Sequence, residues 1–497
     1  VTAIRILGFA PDLDPAEPGI LVDTDNVYPT LRGIGALPSP KDIGFPALTK
    51  RVVGGISLAN VTGSVRTFAG TADRLYEAGA SAWTDVSVTG GYTGSDDSRW
   101  RFAQFGNVTL ATNKVDPMQS STSGVFANLG GTPPKSALIE TVGLAEGVFA
   151  FAADTNDGTD DLQDRWWSSA IGNHADWVPN IATQAANGRL VDTPEGIIGL
   201  KKFGIKIILY KERAMYIGEY MGPPIIWGMS LISNNIGAVS HEAVVDIGNA
   251  HIFAGYDDFY YFDGSRPVSI GSQVREFFRS DYSYTYRRKI MALHDWNRGI
   301  IHWFYPSSRS STGLADKVIT YNYRADKWAR SDVATLLGVV GLTAEYPVSY
   351  NTQGPTWDQM GSFYATWDDL PQISYDSPFW LGDSSKPAFF SSGHKFFIMR
   401  GDPESSSIVT GDYGDHFRFS AIRDMRASYF SEPTVAKLTN FYRSVRGAPL
   451  VKGVTTTQQN GRFNVRRSSR WHRFRLDFTG PMEILGFDFD MVGRGKH

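Results

Sequence analysis

Apolar and polar positions alternate in short runs along most of this chain. Each run is bounded by Gly, Asp, Asn or Pro, and a period of two predicts half-buried strands rather than helices. The runs also recur as a phrase: an apolar strand, a tight polar turn, then a second strand rich in aromatics. It reads FAGTADRLYEA from Phe68, LATNKVDPMQ from Leu110, LYKERAMYIGEY from Leu209 and FAGYDDFYYFDG from Phe253. A looser copy is IHWFYPSS from Ile301, followed by VITYNYRADKWAR. The starts lie 42, 99, 44 and 48 residues apart, and the long interval holds a degenerate copy around FAFAAD and DRWWSSAIG. A unit of about 40–50 residues with several strands is the signature of a propeller blade. The expected fold class is all-β: a β-propeller, six blades by the favoured count and seven allowed, with an extended N-terminal arm and an additional C-terminal β-sheet module.

Three regions follow from the texture. Residues 1–50 form the arm, in which the stretch from Gly8 to Pro40 carries six prolines, each barred from helix interiors and central strands. Its apolar residues Ile4, Ile6, Leu7, Leu21, Val22, Val27 and Tyr28 predict docking onto the body. Residues 51–404 form the propeller, whose six units begin at RVVGGISLANV, RWRFAQFGNV, IETVGLAEGV, GIIGLKKFGI, AVVDIGNAHI and RRKIMALHDW. AFFSSGHKFFIMRG is a further hairpin that could supply a last blade, and 341–385, with PTWDQM and TWDDLP, reads as loop. Residues 405–497 form a separate β module, alternating apolar and basic positions and ending in the strand ILGFDFDMV. A single stretch, SQVREFFRSDYSYTYRRKIM, has helical spacing, with Ser272 as its expected cap.

Composition narrows the class. Apolar residues at 42% and aromatics at 13% supply a packed core, and 51 glycines with 25 prolines suit many tight turns. The absence of cysteine removes disulfides, thiolate metal sites and a cysteine nucleophile. No run approaches the 18 or so apolar residues of a membrane span. The start, VTAIRILGFAPD, has no signal-peptide pattern, and beginning at Val it is expected to have lost an initiator residue or more. A soluble protein of a reducing compartment is expected. The net charge of −3 argues against a surface that grips nucleic acid throughout.

Candidate chemistry is sparse. No nucleotide-binding glycine loop, HExxH or GxSxG occurs. His294 and His302 flank the DWNRG turn and read as packing residues ahead of metal ligands. Asp154, Asn156, Asp157, Asp160 and Asp161 form an oxygen-rich loop without EF-hand spacing, read as a solvated acidic loop. Asp257 and Asp258 sit in a hairpin turn, and no carboxylate pair has the setting a glycosidase needs. No cofactor and no enzymatic activity are expected. The sharpest charge feature lies between Glu432 and Asp477, where no acid occurs but ten basic residues do. Within it Arg466, Arg467, Arg470, Arg473 and Arg475, with Trp471 as an apolar anchor, are the candidate protein-docking residues. Docking on an acidic surface ranks ahead of a plain solvated face, and that ahead of nucleic-acid contact.

These phrases, taken in order, resemble a known family. GFAPDLDPAEPGILVDTDNVYPTLRG is similar to the opening of tail proteins of short-tailed bacteriophages. RWWSSAIGNHADWVP, LYKERAMYIGEY, ISNNIGAVS, FAGYDDFYYFDG and RSSRWHRFRL with ILGFDFDMV continue the likeness to the tail nozzle and packaged-DNA stabilisation proteins. The resemblance implies a structural virion protein of the phage tail, assembled in the bacterial cytoplasm as a head-completion component. It implies a homohexameric ring below the adaptor ring on the portal, above further tail-tip proteins. Such a ring retains packaged double-stranded DNA and passes it out at ejection, without sequence specificity. The alternative is a carbohydrate-binding or glycan-cleaving propeller at the tail tip, with Trp303, Tyr305 and Asp295 as its best sugar platform.

Overall fold

The computed structural model describes residues 4–332, 346–351, 385–403 and 405–494. Among the described residues seven four-stranded antiparallel sheets succeed one another. Blade one consists of Val52–Ala59, Val65–Thr71, Leu75–Ala78 and Trp83–Asp85, joined by hairpins. The innermost strands of blades two to six are Arg101–Phe105, Lys135–Gly143, Gly199–Phe203, Val244–Asp246 and Met291–Asp295. Blade seven contains Tyr346–Asn351, Ser385–Phe390 and Phe396–Gly401. Its fourth, outermost strand is Ser39–Asp42, contributed by the N-terminal stretch and antiparallel to Phe396–Gly401. Each innermost strand touches the next, and that of blade seven touches that of blade one, so the ring closes.

The count is seven, the larger of the two expected, and the favoured six is corrected. The hairpin AFFSSGHKFFIMRG does belong to a last blade. The segment that completes that blade, Ser39–Asp42, has no apolar alternation and contains Pro40. Proline is tolerated because an outermost strand has a free edge. The expected loop at 341–385 contributes the strand Tyr346–Asn351, while PTWDQM and TWDDLP lie outside the described residues.

Aromatic rings fill the seams between blades. Phe253 is fully buried, with Tyr260 stacked 5.6 Å away in its own blade and Tyr210 of blade four edge-on at 5.2 Å. The recurring Phe-Ala-Gly phrase has a steric reason. A Cβ on Gly70 would strike the Trp100 indole, and one on Gly255 would strike the Tyr260 ring, so the glycine makes room for the neighbouring aromatic.

A second body is a β-sandwich made from both ends of the chain. One sheet pairs Phe419–Ser431 with Phe463–Ser469 and Glu483–Arg494, then continues into Ile34–Ala36 and Val27–Pro29, with Ile4–Arg5 also on Glu483–Arg494. The other runs Gly8–Phe9, Ile20–Asp25, Ser405–Thr410, Trp471–Thr479, Val435–Arg443 and Val451–Thr457. Ile6, Leu21, Val27 and Ile34 share its core with Leu438, Phe474, Leu476 and Phe487. Residues 4–42 are thus divided between the two bodies rather than forming an arm of their own.

The helix is shorter than the apolar spacing suggests, Arg275–Asp281, because Tyr282 turns extended. Ser272 is not its cap. The Asp12 carboxylate accepts from the N–H groups of Glu276 (2.6 Å) and Phe277 (2.9 Å) instead, satisfying two donors that the first helical turn leaves open.

Candidate functional site

The axis of the propeller holds two adjoining cavities of about 690 and 560 Å³ that share Arg101, His241 and Glu242 in their walls. Arg101 begins the inner strand of blade two, and Glu242 lies just ahead of that of blade five. Their 2.8 Å ion pair therefore crosses the channel. The guanidinium also donates to the Ala137 carbonyl of blade three (2.8 Å), and the Glu242 carbonyl accepts from the Ala292 N–H of blade six (2.8 Å). Four blades meet at this bar, which forms a waist between the cavities.

Beside the waist, Glu140 of blade three faces Lys201 of blade four. Both keep some surface open to channel water, yet protein encloses them on every side. Burial raises the Glu140 carboxyl above its ordinary range against the pull of Lys201, and it lowers the Lys201 ammonium against the pull of Glu140 and Glu242. Burial, reinforced by Lys201 and Arg101, holds His241 well below the usual histidine value. The ring is then neutral, consistent with Nδ1 accepting the Leu200 N–H at 3.3 Å. None of these five residues figured among the sequence candidates. Their signal was present: charged residues recur near the start of the first strand in successive repeats, as in RWRFAQF, IETVG, LKKFG and SHEAVV.

The basic C-terminal residues do not form one face. Trp471 is only 4% exposed, its ring covered by Arg446 (5.6 Å) and His416 (4.9 Å), so it is not an exposed anchor. Arg473 pairs at 2.9 Å with Asp412, whose side chain is fully buried and also pairs with Arg443. Arg475 pairs with Asp477 at 2.8 Å and donates to Ser407. Arg473 and Arg475, expected as docking cations with no acid nearby, are instead each paired with an acid of this chain. Acids outside the acid-free window reach them by strand pairing and by alternation along one strand. Arg470 lies over the Phe419 ring at 5.1 Å. Arg466 and Arg467 remain exposed on the other sheet, Arg467 against the Tyr442 ring (3.7 Å). With Arg423 and Arg462 they line a notch of about 580 Å³ that also contains Asp424 and Asp490. Arg466 has a left-handed backbone (φ 45°), at an irregularity where its strand slips against Phe419–Ser431.

The remaining candidates resolve into structure. Trp303 and Tyr305 are fully buried and Asp295 is 2% exposed and paired with Arg298 at 2.9 Å; the expected sugar platform is propeller core. His302 bonds Thr320 (2.9 Å), and His294 bonds Tyr323 (3.2 Å) and packs on Trp296. In the acidic loop Lys114 pairs with Asp154 and Asp161, and Arg165 with Asp157. Among the described residues no cluster of three metal-ligating side chains occurs. Asp257 bonds Tyr260, and Asp258 bonds Ser269 and the Phe259 N–H within the turn.

No family model and no curated protein sequence matches this chain. Similar solved structures include YCF48 from Cyanidioschyzon merolae, 9% identical, covering 73% of this chain and 98% of its own, with a TM-score of 0.40. Another is an exo-β-1,3-galactanase from Phanerochaete chrysosporium, 10% identical, covering 93% of this chain and all of its own, with a TM-score of 0.28.

Proposed function

We propose that this chain is a structural protein of the virion of a short-tailed bacteriophage, the subunit of a six-membered tail nozzle ring that holds packaged DNA and conducts it out. The observation that carries this reading is where the family-like phrase DTDNVYPT sits. It is the seam between the two bodies. Arg330, on the outer strand of blade six, pairs with Asp23 at 2.7 Å and exchanges backbone hydrogen bonds with the Thr24 hydroxyl. Asp25 accepts from the Asp332 N–H, Asn26 donates to Ser331, and the Pro29 carbonyl accepts from Asn322. On the other side the same segment pairs with Ser405–Thr410, and Thr30 donates to Glu483 at 2.7 Å. A conduit subunit bears load while genome passes, and a seam of buried and part-buried polar bonds from one short segment suits that task.

The reading is that of a non-enzymatic protein, since the axial acids lie beside cations within the fold. The barred waist leaves no path for nucleic acid along the propeller's own axis, so DNA runs along the common axis of the ring. The adaptor ring and the tail-tip proteins are the neighbours at its two ends. The docking face narrows to Arg423, Arg462, Arg466 and Arg467, which suit an acidic neighbour.

Electron microscopy of the assembled particle tests this directly. A six-fold ring between adaptor and tail tip, with DNA leaking from heads that lack the chain, is expected. A distal trimer or monomer that binds or cleaves glycan would replace the nozzle reading with the carbohydrate one. Charge reversal at Arg466 and Arg467 should detach the ring from its neighbour, most strongly at low salt, while high salt weakens the wild-type contact and the subunit stays folded.

A further inference from the structure

The axial cavity of about 560 Å³ has two unlike walls. Blades three to five line it with Glu140, Lys201, Lys202 and Asp246, whereas blades one and six present Ile56, Leu58 and Trp296. It opens to solvent where Lys202 is exposed and Trp296 is 47% exposed. The charges on its walls balance: Arg101, Lys201 and Lys202 stand against Glu140, Glu242 and Asp246. The walls as a whole therefore favour neither a net anion nor a net cation. The volume falls within the roughly 300–1,000 Å³ of small-molecule sites.

Within that balance the charges are not all paired. Arg101 and Glu242 bind one another. The Lys201 ammonium, although it lines the cavity, makes no hydrogen bond or ion pair with any described residue. The Glu140 carboxylate accepts from backbone alone, from the Thr141 N–H at 3.0 Å and from that of Lys202. His241 is 8% exposed, and its Nδ1 accepts the Leu200 N–H at 3.3 Å. The proton of the neutral ring then sits on Nε2. That N–H has no acceptor among the described residues and is not sealed from the cavity its ring lines. Two enclosed donors without an acceptor call for an oxygen, above all an anionic one. Glu140, facing Lys201 without reaching it, calls for a cationic donor.

We propose that this cavity binds a small zwitterion with an apolar side chain, an amino-acid-like molecule. Its carboxylate is held by Lys201 and the Nε2–H of His241, its ammonium by Glu140, and its side chain lies against Ile56, Leu58 and Trp296. A ligand of both signs leaves the balance of the walls undisturbed, which a phosphate or a polyamine would not. The site belongs to a single propeller and does not rest on the nozzle reading.

Calorimetric titration of the full chain with L-phenylalanine in one arm and L-leucine in the other tests the proposal. One-site saturable binding of at least one of them is expected. The N-acetyl form of the tighter binder lacks the ammonium, and its amide lacks the carboxylate. Each should bind about tenfold more weakly or worse, the loss of one charge-assisted contact. Variants should mirror these analogues. Glu140→Gln should weaken the amino acid by about tenfold and leave the N-acetyl form unaffected, and Lys201→Met should weaken it similarly and leave the amide unaffected. Arg466→Gln on the sandwich should change nothing. The crossed pattern separates lost contacts from lost structure, which would weaken every probe alike. No saturable binding of either amino acid, tighter binding of galactose than of both, or equal weakening of every probe by both variants would each overturn the site.

Discussion

Blades one to six close on themselves within a few tens of residues, whereas both sheets of the sandwich wait for opposite ends of the chain to meet. Val52–Ala59 finds its partner Val65–Thr71 across a short turn, but Ile4 pairs with Phe487 and Asp25 with Ser407. Blade seven shares the problem of the sandwich, since Ser39–Asp42 pairs with Phe396–Gly401. Local pairs cost little loop entropy and form early; distant ones form only once the rest has brought them together. The propeller is thus the scaffold on which the sandwich and the last blade are completed.

Truncation breaks this comparison most severely. Removing residues 1–38 deletes every N-terminal strand of the sandwich but spares Ser39–Asp42. The propeller should persist while the C-terminal sheets lose their fold, and limited proteolysis should cut readily beyond residue 404. Removing residues 1–42 should also open blade seven and cost the propeller its cooperative unfolding. A 1–38 truncation as protease-resistant as the intact chain would show that the sandwich does not depend on its distant strands.

The same contrast explains what could be read in advance. Blades one to six were legible because Phe-Ala-Gly and the aromatic strands repeat with their partners beside them. Ser39–Asp42 was not, since an outermost strand needs no apolar face and its partner lies more than 350 residues away. Arg473 and Arg475 stood out as cations in an acid-free window, but a linear acid count misses Asp412, which the sheet carries to Arg473. Trp471 looked like an anchor because tryptophan beside arginine suits an interface; a cover by Arg446 and His416 leaves no local mark. The axial residues Arg101, Glu140, Lys201, His241 and Glu242 were missed because each is one charged residue in an ordinary strand, and only ring closure brings them together.

Single substitutions sharpen the comparison by showing what each body relies on. In the sandwich, Asp412→Ala leaves Arg443 and Arg473 without their buried carboxylate, which should cost about 3–5 kcal/mol. In the propeller, Phe253→Ala empties a seam between blades four and five, for a cost of about 3–5 kcal/mol. Urea unfolding followed by tryptophan fluorescence measures both. If Asp412→Ala costs under about 1 kcal/mol, the ion pairs belong to a solvated face after all.

Acidification separates the bodies next. Burial pushes His251, His294 and His302 of the propeller down to about 4 and holds His241 well below the ordinary histidine value; in the sandwich His472 is lowered for the same reason. Such groups bind a proton more weakly folded than unfolded. Their contribution is therefore complete above the ordinary histidine value near 6.5 and is lost as pH falls towards 4. For His302 this amounts to about 3 kcal/mol. Denaturant midpoints at pH 7 and 4.5 should show the propeller losing more than the sandwich, and His302→Gln should flatten part of the slope. Parallel loss in both bodies would contradict the assignment.

The smallest effect is expected where the N-terminal stretch touches the propeller locally rather than completing a sheet. Asp12 caps the helix Arg275–Asp281 from 264 residues away, and Phe9 nearby packs edge-on against Phe277 at 5.1 Å. Two things limit the cost of losing that carboxylate. The N–H of Glu276 lies at an exposed position and can turn to water, and Phe9 remains buried whatever residue 12 is. Asp12→Ala should therefore cost about 1 kcal/mol, the ordinary value of a side-chain cap, and Asp12→Asn less, because its amide oxygen still accepts. Thermal unfolding of the two variants measures the difference. A loss above about 3 kcal/mol would mean that the cap anchors the whole N-terminal stretch, making this contact as decisive as the strands it now merely accompanies.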